Sequence, residues 1–238
     1  MKILVGFISL LALLLVVLPG PLYKFNLLDL SPAFTTLRYG VYIGIVALVL
    51  LFIQVIFVRK NINWTITGVS AIVAIVAVSF PLSIMNKAKS VPPIHDISTD
   101  LTNPPKFIAI AARRIDAPNP IQYAGEETAQ QQRDAYPEIK TQTYLKPFDL
   151  LFYTTQKSVD ELGWELVNAD KSLGIIEATD TTGWFGFKDD VVIRIQAIGK
   201  ETIIDIRSKS RVGKSDLGKN AERIQVLIDH IKTKLAQS

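Results

Sequence analysis

His95, Asp96 and Asp100 stand close together in the chain. An imidazole with neighbouring carboxylates is a donor set that can hold a divalent metal. The chain has only two histidines, and His230 falls off the apolar face of the last helix, where solvent is expected. His95 is therefore the one candidate base for a Ser–His hydrolase, yet no Gly-x-Ser-x-Gly elbow accompanies it. A plainer reading competes with both: Asp and Ser side chains in an irregular segment hydrogen-bond the local backbone. With no cysteine, disulfides, thiol catalysis and cysteine-ligated zinc or iron–sulfur sites are excluded. No metal and no other cofactor is expected.

Two further groups carry chemistry-bearing types. Gly213-Lys214-Ser215 invites comparison with a phosphate-binding loop, but that motif needs a glycine where Ser208 stands. A simpler anion site remains open, because Arg207, Lys209, Arg211 and Lys214 lead into a helix N-terminus with free N–H groups. The alternative is a charge network in which Arg207 and Arg211 pair with Asp189, Asp190, Asp205 or Asp216. Trp184-Phe185-Gly186-Phe187 can present rings to a ligand or a membrane surface. The expectation is instead a bulge whose rings enter the domain core, with Gly186 supplying an unusual backbone angle.

The elements that must position these residues are legible from periodicity. Residues 107–114 read as a first strand and 126–135 as a short helix ended by Tyr136-Pro137. Pro147 opens a helix whose Phe148, Leu151, Phe152, Thr155, Val159 and Leu162 share a face, and Gly163 closes it. Strands are expected over 164–170, 175–182, 190–198 and 203–211, with Gly199-Lys200 as a two-residue hairpin turn. In the third of these, Val191, Ile193 and Ile195 oppose Arg194; in the last, Ile204 and Ile206 oppose Asp205, Arg207 and Lys209. A final helix covers about 216–236, capped by Ser215 or Asp216. The fold class is α+β: three transmembrane helices, then an antiparallel sheet packed against two or three helices.

The transmembrane part follows from segregation of charge. Residues 1–90 hold seven Lys or Arg and one acidic residue, Asp29, a net of +6; the rest holds 19 Lys or Arg and 21 Asp or Glu, a net of −2. Uncharged apolar runs at about 3–18, 39–58 and 64–85 have the length to span a bilayer, the first being short. It is read as an uncleaved anchor that stops at Pro19-Gly20-Pro21. Tyr23, Phe25, Leu27, Leu28 and Leu30 suit a segment lying in the interface. Gly40 and Gly44 form a small-xxx-small pair that can bring helices together, although glycine is common in such helices anyway. Residues 1–90 are thus the anchor, 91–106 a linker and 107–238 the α+β domain. Arg59-Lys60, in a tight turn between two spans, places that turn in the cytoplasm and exports the domain. No charge lies inside the spans, so a channel or transporter is not expected. The slightly acidic domain argues against nucleic acid as a partner.

A string of motifs carries a family resemblance. It begins with Pro93-Ile94-His95-Asp96-Ile97-Ser98-Thr99-Asp100, then Asn103-Pro104-Pro105 and Ala135-Tyr136-Pro137. It continues with Trp184-Phe185-Gly186-Phe187, Asp189-Asp190-Val191-Val192-Ile193-Arg194, Asp205-Ile206-Arg207-Ser208, Ser210-Arg211-Val212-Gly213, Ser215-Asp216-Leu217-Gly218, Asn220-Ala221 and Arg223-Ile224. Residues 92–235 resemble the bacterial family called domain of unknown function 1499, which implies a domain type but no activity. The candidate polar cluster is Asp189, Asp190, Arg194, Asp205, Arg207, Arg211, Asp216 and Asn220, beside the His95, Asp96 and Asp100 segment. The expected role is a membrane-tethered, non-enzymatic binding or scaffold module in the bacterial cytoplasmic membrane, its domain periplasmic. Its partners are the bilayer and an envelope protein or lipid. The alternatives are an envelope hydrolase or metal-dependent enzyme using His95 and nearby carboxylates, and a lipid-handling domain.

Overall fold

The computed structural model describes residues 2–58 and 62–237. Arg59 and Lys60, on which the expected orientation rests, lie outside the described residues. The chain divides into two units: Met1–Lys89 with Gly183–Gly186, and Ser90–Thr182 with Phe187–Ser238.

In the first unit, three helices are long and apolar enough to cross a membrane: Ile3–Lys24, Leu30–Phe57 and Trp64–Ser90. A helix is the form in which an apolar segment satisfies its own backbone where water is absent. The first span is α1 (Lys2–Val17) continued by α2 (Pro19–Lys24). α1 ends at Val17, just before Pro19-Gly20-Pro21, but the helical path resumes at once in α2. Pro19 takes a first-turn position of α2, where a missing N–H matters least, and the Leu22 N–H still donates to the Leu18 carbonyl at 3.0 Å. The other two spans, α3 (Leu30–Phe57) and α4 (Trp64–Ser90), are longer than the apolar runs alone. The segment read as interfacial is thereby split, Tyr23 falling in α2 and Leu30 in α3. Both glycines of the small-residue pair have a packing role. A Cβ on Gly40 would stand 2.8 Å from Val16 Cγ2 of α1, and one on Gly44 would stand 2.8 Å from Val78 Cγ2 of α4. Gln54 in α3 donates to Thr67 Oγ1 in α4 at 3.1 Å, an interhelical bond of the kind apolar surroundings favour.

The second unit is a six-stranded antiparallel sheet with helices. The strands are β1 (Asp96–Ser98), β2 (Gln142–Tyr144), β3 (Glu165–Asp170), β4 (Ile175–Thr181), β5 (Lys188–Ile198) and β6 (Glu201–Ser210). Their order is β1-β6-β5-β4-β3, and β2 pairs the same side of β6 as β1 but further along. Helices α5 (Glu126–Ala135), α6 (Phe148–Glu161) and α7 (Lys219–Ala236) complete it. Gly163 ends α6 with φ +76°, and Gly199 turns the β5–β6 hairpin with φ +62°, both as the sequence implies.

Strand alternation sorts the sheet into two faces. On one face Ile176, Ile193 and Ile206 lie side by side across β4, β5 and β6, with Ala178, Val191, Ser208 and Ile97 in the next row. Leu151 and Phe152 of α6 and Ile224, Leu227, Ile228 and Ile231 of α7 pack onto them. The other face carries Glu177, Val192 and Arg207 in one row and Thr179, Asp190, Lys209 and Asp96 in the next. This face too is buried.

Residues 107–114, expected as a strand, form instead a 3₁₀ helix over Ala109–Arg114. The Glu177 carboxylate accounts for this. It accepts the N–H groups of Ile108 (2.8 Å), Ala109 (2.7 Å) and Ile110 (3.2 Å), satisfying the donors a helix start leaves free. Residues 91–106, read as a linker, contribute β1. Glu177 is fully buried, so Glu177→Ala is expected to destabilise the domain by about 3 kcal/mol. Thermal unfolding of the detergent-solubilised protein, followed by the sheet signal in circular dichroism, checks this; an unchanged midpoint contradicts it.

Candidate functional site

The charged residues of the polar face are held by β1, β4, β5 and β6 and closed over by the segment from Thr99 to Ala124. Asp96 is the hub of one group. Arg207 Nε donates to Asp96 Oδ1 at 2.8 Å and its Nη2 to Oδ2 at 2.9 Å, a two-point grip. Lys209 Nζ donates to the same Oδ2 at 2.7 Å and to the Gln122 carbonyl at 2.5 Å. Asp190 is the hub of a second group. It accepts from Arg114 Nη1 at 2.6 Å, from Arg211 Nε and Nη2 at 2.8 Å each, and from Thr179 Oγ1 at 2.7 Å. Cross-strand pairing joins the two groups, because Asp190 and Lys209 are register partners.

Four cations thus meet two carboxylates. Carbonyl oxygens take up further donors: Pro105 and Ile121 on Arg207, and Lys209, Asn119 and Ser210 on Arg114, whereas the buried Arg114 Nε has no hydrogen-bond partner among the described residues. The Phe107 and Tyr123 rings face the Arg207 guanidinium, at 5.1 and 5.4 Å from their centroids. Burial lowers the Lys209 ammonium from its ordinary value, against the pull of Asp96. Burial, with the Asp96 charge adding to it, pushes the Tyr123 phenol up to about 12. Burial alone would raise the Asp190 carboxyl, but hydrogen bonds from Arg211, Thr179 and Arg114 carry it below its ordinary 3.8.

The remaining members of the sequence-derived cluster lie elsewhere. Arg194 bridges Asp100 (2.9 Å) and Asp205 (2.8 Å), and Asp205 Oδ1 also accepts from Thr99 and Thr141. At the start of α7, Arg223 holds Asp180 (2.8 Å) and Asp189 (2.7 Å). There Asn220 Oδ1 accepts from the Ser208 hydroxyl and from Arg223, while its Nδ2 donates to the His95 carbonyl. Asp216 accepts the N–H groups of Gly218 (2.8 Å) and Asn220 (2.7 Å), and burial raises its carboxyl above the ordinary value. The one set read from the sequence is therefore divided among four groups.

Several expectations are settled by these contacts. Arg211 pairs with Asp190 as foreseen, whereas Arg207 pairs with Asp96, which belonged to the other candidate segment. His95, Asp96 and Asp100 do not converge. His95 is half-exposed, its Nδ1 lying 3.4 Å from the Lys214 carbonyl, while Asp96 turns inward and Asp100 binds Arg194. Among the described residues no group of three or more His, Cys, Asp or Glu is arranged to hold a metal ion. The anion site at the start of α7 is filled by the chain's own Asp216. His230 is partly covered rather than open to solvent, 27% exposed and 3.4 Å from Glu161. Trp184 and Phe185 do not enter the sheet's core but belong to the membrane unit; Gly186 between Phe185 and Phe187 has φ +69°.

The candidate cluster read from the sequence left out Arg114, Glu177, Asp180 and Arg223, although Arg223 stands in the motif string. For Arg114 and Glu177 no local pattern exists, since their partners are dozens of residues away. The available signal was alternation, which puts Asp205, Arg207 and Lys209 on one face of β6 against Asp190 and Arg194 on β5.

Fold and cluster define an α+β domain that follows three helices long and apolar enough to cross a membrane, its sheet having one apolar face and one face of paired, covered charges. The family model that matches is described as protein of unknown function (DUF1499); it covers residues 96–231, from the first residue of β1 into α7. The chain belongs to that family, with its three spans outside the match. No curated protein matches the chain.

Removing one partner of a buried ion pair leaves the other without compensation. Asp96→Asn and Asp190→Asn are each expected to cost about 3–5 kcal/mol, read as a lowered unfolding midpoint at neutral pH. In acid the unfolded chain binds a proton at Asp190 before the folded one does. Its contribution is present above about pH 4 and lost as pH falls through the folded-state value. Unfolding midpoints measured from pH 7 to pH 2 are expected to drop steeply on the acid side, and less steeply in Asp190→Asn.

Proposed function

We propose that this protein is a non-catalytic binding or scaffold module, tethered by three spans to the bacterial cytoplasmic membrane with its domain in the periplasm. The observation that carries this reading is the commitment of Asp96, the central carboxylate of the only histidine-containing candidate segment. Asp96 is fully buried and gripped by Arg207 and Lys209, so its charge holds the fold and does not face a substrate. Arg194, Arg207, Arg211 and Arg223 are likewise engaged by carboxylates of the chain. This supports a rigid platform whose partner, an envelope protein or a lipid headgroup, is met by the outer surface.

The export reading rests on the sequence position of Arg59-Lys60 in the short turn between the second and third spans. Positive charge in short loops is retained on the cytoplasmic side, and one further crossing then delivers the domain to the other side.

Alkaline phosphatase joined after Ser238 is expected to be active, and a fluorescent reporter that matures only in the cytoplasm is expected to stay dark there. The reverse pattern removes the periplasmic assignment. Metal analysis of the purified protein is expected to find no stoichiometric metal. A bound metal that disappears in His95→Ala would instead establish the enzyme reading.

A further inference from the structure

The chain's first proline pair creates a vacancy in the hydrogen bonding of the first span. In an α-helix the carbonyl of Val17 would accept from residue 21, and residue 21 is Pro21, which has no N–H. A carbonyl left unpaired in apolar surroundings is costly. The Trp184 indole fills this position: its Nε1–H donates to the Val17 carbonyl at 3.0 Å.

The surroundings are shaped for that ring. Gly20 supplies the notch, since a Cβ there would stand 2.4 Å from Trp184 Nε1. Phe80 of α4 meets the Trp184 ring edge-on at 5.2 Å. Phe185 stacks on Phe34 of α3 at 5.5 Å and 16°, and lies 6.0 Å from Tyr23 of α2. Only 5% of Phe185 is exposed. Lys24 Nζ donates to the Gly183 carbonyl at 3.1 Å. A Cβ on Gly186 would stand 2.7 Å from Lys24 Cγ, and the φ of +69° at Gly186 favours glycine on its own account. Just outside the segment, the chain is pinched shut, Thr182 N–H donating to the Phe187 carbonyl at 2.9 Å and Phe187 N–H to Thr182 Oγ1 at 2.8 Å. All the partners of Gly183–Gly186 named before that pinch lie within the one membrane unit.

We propose that Gly183–Gly186 is a plug and that Pro19-Gly20-Pro21, with Phe34 and Phe80, is its socket. The membrane unit is then a receptor for an indole ring as well as a tether. Its specificity comes from three features that a passive anchor does not need: a carbonyl freed by Pro21, a notch left by Gly20, and an aromatic ring on each of two other spans, Phe80 edge-on to Trp184 and Phe34 stacked on Phe185. An aromatic ring without a donor fits the notch but leaves the Val17 carbonyl unmet, so tryptophan is the residue this socket selects.

The test uses the full chain in its native membrane, with Trp64→Phe and Trp164→Phe making Trp184 the sole tryptophan. Trp184 emission is expected to be blue-shifted and shielded from acrylamide. Gly20→Leu fills the notch and is expected to shift the emission to the red and raise acrylamide quenching several-fold. Phe185→Ala leaves the spans untouched, and is expected to act in the same direction by removing the stack on Phe34. If emission is already red and fully quenched in the parent, or if both substitutions leave it unchanged, the plug and socket are refuted. Shielding that survives both substitutions, with strong quenching by brominated lipid, would place the ring in lipid and overturn the proposal equally.

Discussion

A carboxylate removed from water must be matched where it lies, and the fold depends on how Asp96 meets that requirement. Arg207 and Lys209 reach it from β6, so β1 must pair with β6 for the three charges to meet. The carbonyls of Pro105, Ile121 and Gln122 must then close over the cations. The loop that supplies them also packs Phe107, Ile110 and Ile121 against Ile175 and Val192. Its conformation is thus specified by donors and acceptors as well as by apolar contact, and Glu177 fixes the 3₁₀ helix within it. Buried ion pairs of this kind contribute less to net stability than apolar packing would, but they penalise any arrangement in which one partner is misplaced.

This explains why the chain looks as though it holds an active site. Acidic and basic residues recur in tight motifs from β1 to α7, the pattern that catalytic or anion-binding sites also produce. In the folded protein those residues face one another across strands. Asp216 on the first N–H groups of α7 makes the same point on a small scale: the helix start that attracts anions is answered by a side chain two residues away from the cap.

Elements with a strong period were legible in the sequence. The three spans, α6, α7 and the four long strands follow from apolar spacing, α5 is marked by the Tyr136-Pro137 that ends it, and Gly163 and Gly199 mark the ends of α6 and β5. What escaped were features set by distant partners. Residues 107–114 have the apolar content of a strand, and only the carboxylate of Glu177 makes them helical. Pro19 and Pro21 look like a stop, yet α2 continues because its first turn has no use for a proline N–H. For the site, alternation along β5 and β6 correctly grouped the charges by face. It could not show that the polar face is covered, because the covering loop has no periodicity. The aromatic run around Gly186 was readable as a special turn, but not as one whose rings belong to the membrane unit.

The layout of the strands has one more outcome. A sheet border offers unpaired N–H and C=O groups to any neighbouring chain, and long flat borders invite aggregation. Here β6 is shielded along its outer side by two short strands in succession, β1 and β2. The opposite border is β3, six residues long with a register shift between Leu166 and Asn168. Neither margin provides a straight template for intermolecular pairing, so neighbouring copies of the domain find no long flat edge along which to zip together.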